Sequence, residues 1–249
     1  NVVMITKNGT IKKTSLEAYS RPRTNGVNAI EIRDNDQLLG ARLTDGNSEI
    51  MIATKDGKCI RFPEEKARAV GRGSIGVRGI TLSEGDEVIG MIVVNDVQNE
   101  TVLVVSERGY GKRTAVEDYR ITNRGGKGVI TLNITEKTGN LIAIQMVTDD
   151  DGLMIINKSG VAIRMGMDEM RVMGRNTQGV KVINLKKNDE IAAIAKVEMD
   201  KEVIIEEGEI IEGAEDQEKG APIIEAGSDT DNEIIQPEEN KDSEDESEE

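Results

Sequence analysis

The sequence predicts an all-β protein: a propeller-like array of four-stranded blades followed by an acidic, disordered C-terminal tail. Three observations predict it. Four segments open alike, as "VVMITKNG", "IMIATKDG", "VLVVSERG" and "LMIINKSG", and their glycines Gly9, Gly57, Gly109 and Gly160 are spaced by 48, 52 and 51 residues. A second anchor, a Gly-Val pair at Gly26, Gly76, Gly128 and Gly179, keeps the same period with spacings of 50, 52 and 51. The core must come from Ile, Val, Leu and Met, because aromatics are 2 % of the chain and Trp is absent. Such β-branched richness favours strands. A unit of about 50 residues with four short strands is the signature of a propeller blade. One blade cannot bury both of its faces, so neighbours must stack. The even period disfavours the alternative of two small β-barrels.

Each unit reads as strands in order. The apolar opening run is a first strand. Asn8-Gly9 and Asp56-Gly57 are strong hairpin turns, because Asn and Gly tolerate positive φ. The second strand is "TIKKT", "KCIRF", "YGKRT" or "VAIRM". A polar connector leads to the Gly-Val pair. After it "VNAIEI", "VRGITL", "VITLNI" and "VKVINL" alternate as third strands, and "LLGARL", "VIGMIVV", "LIAIQMV" and "IAAIAKV" are the fourth. The expected blades are residues 1–48, 49–100, 101–151 and 152–200, forming one domain over 1–200.

Net charge is −15, but it is unevenly placed. Residues 1–200 carry 29 Lys and Arg against 27 Asp and Glu, a net of +2, and residues 201–249 carry 3 Lys against 20 acids, a net of −17. The tail is rich in charge and poor in hydrophobics, hence disordered by composition. Ile doublets at Ile204-Ile205, Ile210-Ile211, Ile223-Ile224 and Ile234-Ile235 interrupt it. The bland role is a solvated tail; the sharper one is an internal competitor contacting a basic rim.

Several chemistries are excluded. There is no His, which removes His-based acid–base catalysis, the Ser-His-Asp and Cys-His arrangements and ordinary zinc sites. Cys59 is the single cysteine, so no internal disulfide forms and a reducing cytoplasm fits. No apolar run reaches the ~18 residues of a membrane span, and no signal peptide is visible. No metal site and no cofactor motif is found. "GRGSIG" (Gly71 to Gly76) matches a dinucleotide fingerprint literally, but a strand-like segment follows where a helix is required.

Cations recur with the repeat. Lys13, Arg61, Arg113 and Arg164 lie four residues after the hairpin glycines, with Lys12 and Lys112 just before two of them. Eight and four residues before the Gly-Val glycine stand Arg68 and Arg72, Arg120 and Arg124, and Arg171 and Arg175. The first unit has Arg21 and Arg23 instead; Arg78 and Lys181 follow the Gly-Val pair, and Lys127 precedes it. Scattered Arg and Lys decorate any surface, but blades side by side would align these into a basic stripe suited to a duplex backbone. With so few aromatics, single-strand stacking platforms are disfavoured. Tyr19 and Tyr119 share a repeat position and read as core fillers. In "NRGGKG", Arg124 and Lys127 are the candidate phosphate contacts, with Gly125, Gly126 and Gly128 shaping the loop so that backbone N–H groups can approach a phosphate. A propeller used as a protein-interaction platform is the competing function.

The runs "GYGKRTAVEDYR" (Gly109–Arg120), "NRGGKGVIT" (Asn123–Thr131), "RVMGRNTQGVKVI" (Arg171–Ile183) and "NGTIKKTSLEAYSRPRTNGV" (Asn8–Val27) closely resemble the C-terminal domain of the DNA gyrase A subunit, over residues 1 to about 200. The resemblance implies a β-pinwheel in which each blade exchanges a strand with its neighbour. It implies a basic rim that binds and wraps duplex DNA, supporting ATP-dependent negative supercoiling by the parent type II topoisomerase. It places the parent's catalytic tyrosine, magnesium site and ATPase elsewhere, so this piece is expected to have no catalytic residue and no cofactor of its own. It implies the gyrase B subunit and a second A subunit as partners through a missing N-terminal part, and a bacterial, cytoplasmic, nucleoid-associated setting without a membrane. The family's Q-R-R-G-G-K-G box belongs to its first blade; the nearest match here, Thr122 to Gly128, reads "TNRGGKG" in a later one. The chain thus reads as the last four blades, with the box upstream. The C-terminal domain of the topoisomerase IV A subunit is the alternative parent.

Overall fold

In the computed structural model, residues 1–186 and 189–199 are described, all within one unit, Asn1–Glu202. The acidic tail lies outside the described residues. Among these there is no α-helix; the architecture is four antiparallel sheets and three single-turn 3₁₀ segments.

The first sheet is built on the hairpin β1 (Val2–Thr6) and β2 (Thr10–Thr14), with β3 (Leu38–Leu43) beside β1. The second uses β4 (Glu49–Thr54), β5 (Lys58–Pro63) and β7 (Val88–Val94) in the same order, and β6 (Val77–Arg78) precedes β7 in the chain. The third uses β8 (Thr101–Ser106), β9 (Tyr110–Ala115) and β11 (Leu141–Val147), preceded by β10 (Val129–Ile130). The fourth uses β12 (Asp151–Asn157), β13 (Ala162–Gly166) and β15 (Ile191–Glu198), preceded by β14 (Val180–Lys181). Each hairpin turns at its glycine: the Gly9, Gly57 and Gly109 N–H groups donate to Thr6, Thr54 and Ser106 at 3.0, 3.0 and 3.1 Å. All three have φ between +75° and +83°, the left-handed geometry that glycine adopts at no steric cost.

The third strand of the second, third and fourth repeats departs from the simplest reading of its unit. It is two residues long and joins the preceding sheet: β6 pairs with β2, β10 with β5, and β14 with β9. This is the strand exchange that the family resemblance implied. The Gly-Val glycines make it possible. A Cβ on Gly76, Gly128 or Gly179 would lie 2.5, 2.6 or 2.5 Å from the carbonyl oxygen of Ile11, Cys59 or Gly111 in the sheet being joined. Gly26 has a φ of +76°, matching Gly128 and Gly179, with nothing within 4 Å, and "VNAIEI" after it forms no strand. The fourth sheet correspondingly has three strands among the described residues, not four.

The core lies between sheets, in three clusters. Ile50 and Ile52 of β4 pack toward the first blade with Val3, Ile5 and Ile11. Met51 and Ala53, the alternate residues of the same strand, pack toward the third with Val102, Val104 and Tyr119. The third cluster joins Leu103 and Val105 to Leu153 and Ile155. Hence the opening strands are continuous apolar runs: both faces are buried, and successive side chains point to opposite faces. Ile5, Leu39, Gly90, Ile144 and Ile194 line a shared cavity of about 170 Å³ between the strands β3, β7, β11 and β15. Those strands therefore form the hub, and the exchanged strands at the other end of the first three sheets form the rim.

Candidate nucleic-acid interface

Three rim segments of equal length lie along the outer edge of adjoining blades: "RAVGRGSIGVR" from Arg68, "RITNRGGKGVI" from Arg120 and "RVMGRNTQGVK" from Arg171. Each is anchored at both ends to the strand beneath. Near the start, Ala69, Ile121 and Val172 form parallel bridges with Lys13, Arg61 and Arg113. At the end, Arg78, Ile130 and Lys181 pair with Thr10, Lys58 and Tyr110.

The recurring cations divide into three groups by burial and partners. Lys13, Arg61 and Arg113 are buried, which corrects the expectation that they line an exposed stripe. They tie one blade to the next. Lys13 Nζ donates to the Glu64 carbonyl at 2.9 Å. Arg61 donates to the carbonyls of Val116 and Tyr119 at 2.7 and 3.0 Å and pairs with Glu49 at 2.5 Å. Arg113 donates to Met167 and Met170 carbonyls at 2.6 and 3.3 Å and to Asp149 at 2.5 Å. The acceptors lie in or just after the 3₁₀ turns Glu64–Lys66 and Val116–Asp118 and the matching turn of the fourth repeat; the Glu64, Val116 and Met167 carbonyls also accept the turn-closing N–H of Ala67, Tyr119 and Met170. The physical reason is position: the second strand is flanked on both sides once the exchanged strand docks, so a cation on it must be buried and paired.

Lys12 and Lys112 are corrected likewise; both are buried under the rim segments. Lys112 Nζ donates to the Gly174 carbonyl at 2.9 Å, to the Arg175 carbonyl and to Thr177 Oγ1 at 3.2 Å. Lys12 Nζ holds Ala29 and Arg72 carbonyls in the same way. Burial, with the Arg175 guanidinium beside it, lowers the Lys112 ammonium to about 8. In the middle rim segment Ile60 replaces the lysine, and a Cβ on Gly126 would sit 3.5 Å from its Cδ1. There the loop lies flat on apolar surface. The Gly125 N–H is spent on the Gly79 carbonyl at 2.8 Å, so it is not free to cradle a phosphate, and Gly128 serves the strand exchange.

Arg72, Arg124 and Arg175 are half-buried. Each reaches back one repeat to the carbonyl two residues after the Gly-Val glycine: Arg72 to Asn28, Arg124 to Arg78 and Arg175 to Ile130. Arg124 Nε also donates to Lys66 O at 3.1 Å and Arg175 Nε to Asp118 O at 3.2 Å. The second terminal nitrogen of Arg124 and of Arg175 has no hydrogen-bond partner among the described residues.

Arg21, Arg23, Arg68, Arg78, Arg120, Lys127, Arg164, Arg171 and Lys181 are exposed. Arg164 donates to the Glu198 carbonyl at 2.5 Å. The side chains of the other eight make no hydrogen bond or ion pair among the described residues, although Glu117-Asp118 and Asp168-Glu169 stand just before Arg120 and Arg171. Tyr119 is buried as expected, with its hydroxyl 2.5 Å from Thr131 Oγ1, whereas Tyr19 is only half-buried. The sequence reading missed Glu49, Glu64 and Asp149 as partners of the buried cations. Their signal was weak, since such ion pairs cross between elements 12 to 51 residues apart. Cys59 is buried and its thiol is pushed up by desolvation, away from reactivity. Among the described residues there is no His/Cys/Asp/Glu cluster that could hold a metal, and no helix long and apolar enough to cross a membrane.

Comparison with known proteins matches the whole repeat array. The family model described as DNA gyrase C-terminal domain, beta-propeller, matches residues 1–45, 48–95, 100–148 and 153–198. The DNA gyrase A subunit of Staphylococcus aureus is 42% identical over 94% of this chain, which spans 26% of that relative's length. A solved C-terminal domain of DNA topoisomerase IV superposes with a TM-score of 0.74 at 25% identity, covering 79% of this chain and 61% of the other. A solved DNA gyrase A C-terminal domain gives 0.70 at 26% identity, covering 78% and 64%.

Proposed function

The chain belongs to the DNA gyrase C-terminal domain family, and from that premise we propose that its rim binds and wraps duplex DNA for a type II topoisomerase of the gyrase kind. The observation that carries this reading is the row of exposed Arg and Lys without protein partners, at the same register on three adjoining blades. Arg68, Arg120 and Arg171 occupy one level; Arg78 and Lys181 occupy another. Cations that no protein group neutralises, spaced by a structural repeat, suit a ligand with regularly spaced phosphates. The 42% identity to a gyrase A subunit over nearly the whole chain, against 25% to the topoisomerase IV domain, favours gyrase as parent. In this reading the parent's cleavage and ATP chemistry, with Mg2+, belong to parts outside this chain, which takes no cofactor itself. The gyrase B subunit and a second A subunit are its assembly partners, in the bacterial cytoplasm at the nucleoid. The acidic residues 201–249 compete with DNA for the rim.

The test is the salt dependence of binding to a 60-base-pair duplex. Changing Arg68, Arg120 and Arg171 to Ala together should weaken binding equally across sequences. It should flatten the slope of log K against log salt by about 0.9 per lost phosphate contact. A chain ending at Asp200 should bind more tightly than the full chain. Unchanged affinity and slope in the triple variant would favour a protein-interaction platform; an unchanged affinity on truncation would remove the competitor role.

A further inference from the structure

The rim carries its cations in rows, and the sheet register fixes their separation. On the first blade Arg78 pairs with Thr10 and Ala69, next to Arg68, bridges Lys13. On the third, Lys181 pairs with Tyr110 and Val172, next to Arg171, bridges Arg113. In both cases three residues of extended strand separate the two anchor points beside which the rows stand, about 10 Å at ~3.3 Å per residue. On the second blade the same two levels hold Ile130 and Arg120.

A third row runs between them. Arg124 bonds the Lys66 carbonyl, at the 3₁₀ turn beside Arg68, and the Arg78 carbonyl in the other row. Arg175 does the same with Asp118, beside Arg120, and Ile130. These bonds hold each guanidinium in a fixed, half-buried place between the outer rows, with one terminal nitrogen unspent.

Among the described residues the rim carries no α-helix and no two-stranded ribbon apart from the four sheets, only sheet edges and single 3₁₀ turns. The major groove of B-DNA, about 12 Å wide and 8.5 Å deep, is read by an inserted helix or ribbon. The minor groove, about 6 Å wide, carries the stronger negative potential where it narrows and attracts single inserted arginines. Two outer rows of flexible cations flanking a central row of fixed arginines match a groove bordered by two phosphate backbones. We propose that the duplex lies on this rim with its minor groove inward: Arg68, Arg78, Arg120, Arg171 and Lys181 take the two bordering backbones, and Arg124 and Arg175 face the groove. The proposal rests on the duplex-binding reading and adds the face of the duplex that is bound. It further implies a preference for sequences whose minor groove narrows readily at helical-turn intervals, with no fixed recognition sequence.

The experiment uses the full chain and three duplex conditions: unmodified 60-base-pair DNA, the same DNA with netropsin filling the minor groove, and the same DNA with glucosylated hydroxymethylcytosine filling the major groove. Netropsin should weaken binding at least tenfold, while glucosylation should change it less than about twofold, as expected when one groove is read and the other faces outward. Hydroxyl-radical protections on the two strands should be offset toward their 3′ ends and recur about every ten base pairs. Binding that is lost on glucosylated DNA and survives netropsin would overturn the proposal while leaving the duplex reading intact. Absence of salt-dependent binding to the unmodified duplex would instead overturn the duplex reading. Equal sensitivity to both modifications would also overturn the proposal, because it means that neither groove is favoured.

Discussion

Arginines identical in the repeat differ in what they do. Arg113 is buried and donates to two carbonyls of the next blade; Arg120, seven residues later, is exposed and its side chain bonds nothing among the described residues. Removing one member of a buried, hydrogen-bonded charge set typically costs about 3–5 kcal/mol, whereas a free surface residue changes stability by about 0.5 kcal/mol or less. Arg113→Ala should therefore lower the urea midpoint strongly, and Arg120→Ala should leave it unchanged while weakening duplex binding. Equal midpoints for the two variants would show that Arg113 does not tie blades together. The sequence placed both residues in one basic stripe because recurrence marks them equally. Only burial separates a cation that holds a fold from one that faces a ligand.

At the scale of the element, the exchanged strand governs the fold. It contributes just two paired residues to each receiving sheet, so its energy comes from the docking that the preceding glycine permits. Gly128 and Gly26 share a φ near +75°, yet Gly128 presses on Cys59 while Gly26 faces open space. Gly26→Ala should cost only the backbone strain of a left-handed alanine, about 1–2 kcal/mol. Gly128→Ala adds a clash with the Cys59 backbone and should cost several times more. Its protection from hydrogen exchange should fall at Thr131, whose N–H donates to the Gly57 carbonyl at 2.8 Å. Comparable destabilisation by both substitutions would mean that close docking of the strand is not what the glycine serves. The glycine period and the apolar run after it were plain in the sequence. Which sheet the run joins was not, because a short strand has the same alternation whichever edge receives it; the family resemblance, not the pattern, supplied that expectation.

At the scale of the whole molecule, cores shared between neighbouring blades and strands lent across the same boundaries make the described array one cooperative object. Phe62 is buried in the cluster that joins the first and second blades. Phe62→Ala should cost about 3–5 kcal/mol and lower one common transition for all four blades, seen equally by circular dichroism and by exchange of β12 amides. Separate transitions, with the fourth blade untouched, would show that the blades melt as independent units. The rim follows from the same construction. Because each of the first three sheets runs from the hub to an exchanged strand, each rim segment is laid across its blade at the same height, and partner-free cations fall into rows.

The sequence by itself determined what is local: the number of repeats, the strands and their hairpins, and the positions where only glycine suits. It also showed that the charge belongs to the tail rather than the body, because composition needs no neighbours to be read. The tertiary structure alone decided what depends on neighbours. Lys13, Arg61 and Arg113 face the next blade, Lys12 and Lys112 lie beneath the rim segments, and Arg68, Arg120 and Arg171 stand free. The physical reason is that a charged side chain takes its role from whether water, a carbonyl or a carboxylate surrounds it. In this fold those surroundings come from the adjoining repeat, about 50 residues away along the chain.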